Sequence, residues 1–99
     1  MMSPEPLLEE VGRYREQIAQ LREWMRHLPW HWRLRVKTLL DAAEGHLEEM
    51  EFAVENPIKP YVSAIDLYFY IPHEQAVRTI LGIVEGVKCL KCGHVDLLT

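Results

Sequence analysis

The chain is predicted to be all-α, an antiparallel helical hairpin followed by one or two shorter helices and a C-terminal Cys-x-x-Cys tail. Three observations predict this. Two long runs of apolar residues recur in alternating steps of four and three, a proline separates those runs, and no segment offers a clear pair of alternating strands. Ninety-nine residues with 48% hydrophobic content form one domain with a small core.

The first helix is expected over 7–28. Leu7, Val11, Tyr14, Ile18, Leu21, Met25 and Leu28 fall on one seam without a miss. Gly12 lies inside it at a cost of about 1 kcal/mol relative to Ala, which a full seam tolerates. Pro29 ends the run, because proline has no N–H to donate and disfavours helical geometry at the residue before it. A second helix is expected over 32–55, where Val36, Leu40, Ala43, Leu47, Met50 and Val54 repeat the pattern. Long helices joined by so few residues pack most easily antiparallel, each seam against the other or both against a partner.

Asn56, Pro57 and Pro60 mark a linker over 56–60. The run from Tyr61 to Ile71 is ambiguous between buried helix and strand; the absence of a strand partner favours helix. Pro72 suits the first position of a further helix, with Gly86 as its stop, so that 61–86 holds the shorter helices and 87–99 the tail.

That tail carries both cysteines of the chain, Cys89 and Cys92, followed by Gly93 and His94. A tight turn brings two thiols at this spacing towards one point, as zinc requires, and glycine after the second cysteine suits the turn. The six residues resemble one knuckle of a zinc ribbon or rubredoxin-type site. Such sites use two knuckles, so zinc here would need His94, another histidine, or the cysteines of a second copy in a homodimer with a shared four-thiolate site. Free thiols and a redox pair are the alternatives; no helical pattern follows Cys92 to stabilise a reactive thiolate.

Charge is segregated along the chain. The net charge of -4 argues against a protein that coats nucleic acid by charge alone. Residues 13–37 nonetheless hold seven Arg and Lys against two Glu, and residues 41–55 hold six acids and no Lys or Arg. In a hairpin, Arg26, Arg33 and Arg35 would gather at the tip with Trp30 and Trp32. Arginine beside tryptophan suits a protein hot spot, and equally suits phosphate contact with base stacking in a nucleic-acid-binding module. Packing of the tryptophans on the hairpin with solvated arginines is the plain alternative. Glu44, Glu48, Glu51 and Glu55, with Asp41, recur at helical spacing as an acidic stripe. Such a stripe is ordinarily a solvated face; its sharper reading is an acidic inhibitor that imitates nucleic-acid phosphates on a nucleic-acid-binding protein.

No Gly-rich phosphate loop, HExxH or GxSxG is present, so catalysis is not expected. The N-terminus lacks a secretory pattern and no apolar run is long enough to span a bilayer, which makes a cytoplasmic setting without membrane contact the expectation. The functional expectation is a small, non-enzymatic, zinc-binding interaction or regulatory protein that docks on a protein partner through the tip.

Overall fold

The computed structural model describes residues 3–55 and 60–91, and for Lys91 the backbone alone. Cys92 and His94, with most of the expected tail and linker, lie outside the described residues. The described chain is all-helical: α1 spans Glu5–Met25, α2 spans Trp30–Val54 and α3 spans Ala64–Lys91.

Pro4 precedes α1, Pro6 lies in its first turn, and the Leu8 N–H closes on the Pro4 carbonyl at 2.9 Å. Proline is harmless there because first-turn N–H groups have no intrahelical partner. At the other end the chain tightens. The His27 N–H reaches the Trp24 carbonyl at 3.2 Å and the Leu28 N–H the Met25 carbonyl at 3.0 Å. The helix thus stops three residues before Leu28, and Leu28 seals the turn as a buried side chain. Pro29 is extended at ψ 152°, and its carbonyl takes the first helical bond of α2 from the Arg33 N–H at 2.9 Å.

Where one or two shorter helices were expected, the structure has one helix, and it is the longest of the three. A single helix of 28 residues runs through both Pro72 and Gly86. Its start is a capping box: the Ser63 N–H donates to Asp66 Oδ2 at 2.9 Å, and the Asp66 N–H returns to Ser63 Oγ at 3.3 Å. The box places the helix start eight residues ahead of Pro72, which then falls in the interior with its ring on the exposed face. Pro72 removes one helical hydrogen bond. Tyr70 and Val77, buried on either side of it, hold both halves against the bundle.

The three helices run up, down and up. Arg15 reaches Glu51, and Arg22 reaches Glu44, so α1 and α2 are antiparallel. His46 meets His73, and further along α2 Phe52 and Ala53 lie beside Asp66 and Phe69, so α2 and α3 are antiparallel as well. The third pairing is narrower, made by the Tyr70 hydroxyl donating to Glu10 at 3.1 Å and by Arg78 Nε donating to the Tyr14 hydroxyl at 2.9 Å. Helix α2 is therefore central. Its Leu40, Ala43, Leu47 and Met50 are completely buried, between Val11, Ile18 and Leu21 of α1 and Val77, Leu81 and Val84 of α3.

Tyr70 is the largest fully buried side chain. Burial, followed by the nearby Glu10 carboxylate, pushes its phenol well above the ordinary value of 10.0. A phenol held neutral in the folded state favours folding fully below that ordinary value, and the contribution is lost as pH rises through the folded one. Tyr70→Phe is expected to cost about 1 kcal/mol at neutral pH through the lost hydrogen bond. The gap from wild type should then narrow above pH 10.0. Thermal melts followed by circular dichroism across that range test this; parallel curves would contradict it.

Candidate functional site

At the tip, the first turns of α2 set the tryptophans on different faces. Trp32 is half-buried against the core cluster, and the Arg35 guanidinium lies 5.5 Å from its ring centroid, a cation–π arrangement. Trp30 points outward at 69% exposure, and Leu34, one helical turn along, is 58% exposed. His31 lies edge-on to Trp30 with ring centroids 6.0 Å apart. Arg26 turns back to Glu23 at 3.1 Å, whereas Arg33 and Arg35 make no ion pair among the described residues. The expected contact surface therefore divides. Trp30, Leu34 and Arg33 face solvent together, while Trp32 and Arg35 brace the turn.

The acidic stripe is divided in the same way. Arg22 donates Nε to Glu44 at 2.9 Å and Nη2 to Asp41 at 2.8 Å, and Lys37 takes the other Asp41 oxygen at 2.8 Å. Arg15 holds Glu51 at 3.1 Å. Glu48 and Glu55 stay exposed. Much of the stripe thus serves as an interhelical ladder between α1 and α2, with Arg15 on Glu51 and Arg22 on Glu44 and Asp41. Residues 13–37 and 41–55, opposite in charge along the sequence, are thus partly joined in space.

Of the tail, Cys89 is described. It is exposed, on the last turn of α3. Among the described residues no group of three or more His, Cys, Asp or Glu is placed to hold a metal ion. Further ligands for a metal at Cys89 would have to come from residues 92–99 or from another chain.

Two features were not legible from residue spacing. The first is the pairing of His46 with His73, whose Nδ1 atoms stand 2.8 Å apart across α2 and α3. One ring must donate and the other accept. The second is a cavity of about 370 Å³ beside this pair, lined by Glu49, Phe52, Ala53, Asp66, Phe69 and His73. Only the register of α2 on α3 brings these residues together. For the aromatics, the signal available in the sequence was that Phe52 lies off the α2 seam.

Comparison with protein-family models, with curated proteins and with solved structures returns no match for the chain. Among the described residues, no helix is long and apolar enough to cross a membrane.

The Asp41 carboxyl sits below its ordinary value of 3.8, chiefly through Lys37 and then Arg22. A carboxylate with a depressed folded value stabilises the fold above its ordinary value, and that effect is lost as pH falls through the folded one. Arg22→Ala is expected to lower stability by about 1 kcal/mol at low salt, less at high salt, whereas Arg13→Ala should leave it unchanged. Urea unfolding at two ionic strengths measures this. Equal effects for the two variants would remove the ladder from the account of the fold.

Proposed function

We propose that the chain is a non-enzymatic interaction module that docks on a protein partner through the hairpin tip. The observation that carries this reading is the outward pair Trp30 and Leu34, flanked by Arg33, which makes no ion pair among the described residues. An indole and a leucine left in water on adjacent turns gain on docking what burial of apolar area supplies, and tryptophan with arginine is the usual composition of an interface hot spot. The partner that fits is an acidic, amphipathic segment, whose apolar side covers Trp30 while its carboxylates meet Arg33.

The same tip could serve single-stranded nucleic acid, but that mode needs successive stacking platforms. Trp32 is occupied by the core and by Arg35, which leaves Trp30 as the one outward indole of the tip. For an acidic inhibitor, Asp41, Glu44 and Glu51 already have cationic partners on α1. Both readings are weaker for these reasons.

A zinc ion held by Cys89 and Cys92, with His94 as third ligand, would order the tail in a reducing cytoplasmic setting. The support is chemical: the exposed Cys89 stands three residues from the only other cysteine of the chain.

A photo-reactive amino acid at position 34 tests the docking surface. It is expected to cross-link in cells to a discrete protein, with the adduct lost in the Trp30→Ala and Arg33→Ala variants and kept in Arg13→Ala. Adducts to nucleic acid, or adducts indifferent to Trp30, would sink the reading. For the metal, native mass spectrometry of protein purified without chelator should show bound zinc that disappears in Cys89→Ser. Zinc at full occupancy in that variant would exclude Cys89 as a ligand.

A further inference from the structure

The outer face of α3 carries a second apolar seam that nothing else in the described chain covers. Ile65, Phe69, Ile83 and Leu90 are its large members, between 48% and 69% exposed. Pro72, Ala76, Thr79 and Gly86 are the small ones, lying at the remaining steps of four and three. The eight positions follow a continuous 3.5-residue repeat without one charged residue, on the side of α3 away from the buried Tyr70, Val77, Leu81 and Val84. Tyr68 and Ile71 widen the face. Taking roughly 150–250 Å² for each large apolar side chain, the face with Tyr68 and Ile71 exposes on the order of 500–850 Å², at or above the ~300–600 Å² of the largest patch on a typical monomer and comparable to the ~800 Å² one partner contributes to a stable interface.

Glycine adds a second observation. Gly82 and Gly86 stand one turn apart in α3, where glycine is a poorer helix former than alanine. A Cβ at either would meet nothing within 4 Å, so packing within the chain does not require them. Bare glycines on an exposed apolar face suit the close approach of another helix.

We propose that this face pairs with the same face of a second copy of the chain, antiparallel about a two-fold axis between Ala76 and Thr79. The sizes along the seam choose this arrangement. Antiparallel pairing sets Phe69 opposite Gly86 and Ile83 opposite Pro72, so these two large side chains each meet a small one, while Ala76 and Thr79 meet at the axis where the helices come closest. Ile65 and Leu90 close the two ends. Parallel pairing would instead stack Phe69 on Phe69 and Gly86 on Gly86, wedging the helices apart at one turn and leaving a gap at another. The absence of charge from the seam means that self-pairing brings no like charges together. Because α1 and α3 run in the same direction, the hairpin tips lie beside the C-terminal ends of α3. The dimer therefore presents its two tips at opposite ends. It also keeps the two copies of Cys89 apart, so the pairing does not depend on a shared metal and is independent of the docking surface proposed above.

Sedimentation equilibrium of the full chain with chelator present is expected to show a dimer. Ile83→Glu and Gly86→Leu should each weaken it at least tenfold, while circular dichroism keeps the helical signal because neither position packs inside the chain. A spin label on Cys89 in a Cys92→Ser chain gives the orientation: antiparallel pairing puts the labels about 35 Å apart, from a rise of 1.5 Å per residue. A monomer at every concentration, a dimer unaffected by both variants, or a short label distance would each overturn the proposal.

Discussion

The bundle depends on the burial of the α2 seam from two sides. Leu40, Ala43, Leu47 and Met50 are fully buried, and no single neighbour could achieve this, because one helix covers only part of another's circumference. With α1 on one flank and α3 on the other, each outer helix commits one apolar stripe to α2 and keeps its opposite side in contact with solvent. For α1 that outer side is polar. For α3 it is apolar, and the difference between the two is the main asymmetry of the molecule.

Polar contacts then decide how the helices sit once burial has brought them together. Exposed ion pairs contribute little to stability, yet the ladder from Arg15 and Arg22 to Glu51, Glu44 and Asp41 can form in one register of α1 on α2 and no other. Tyr70 plays a related part between α1 and α3, with an aromatic ring that is buried and a hydroxyl that must find Glu10. Among the described residues no buried side-chain polar atom lacks a partner, so the arrangement carries no penalty of that kind.

The surfaces left over are the functional material. An outward Trp30 and Leu34 with arginine at the tip, and an uncharged seam along α3, are two different invitations to association: one mixed and polar-rimmed, the other apolar and self-complementary. They lie on separate parts of the bundle, so a dimer formed through one leaves the other open. The zinc reading stands apart from both, resting on thiol chemistry at the end of α3.

By itself the sequence determined the helical class, the stripes of α1 and α2, and the turn at Pro29, since helical periodicity and the missing proline N–H are local properties that travel with the residues. It also held the Ser63 and Asp66 capping box, whose spacing marks the start of α3 more faithfully than Pro72 does. Only the tertiary structure decided that α3 would run unbroken through Pro72 and Gly86, because burial of Tyr70 and Val77 in the bundle outweighs one lost hydrogen bond and a glycine. It likewise decided that Glu44 and Glu51 would meet arginines, that His46 would face His73, and which stripe of α3 would stay uncovered. Each of these depends on the register between helices distant in sequence, and register is a property of how surfaces fit together, which no spacing within one helix contains.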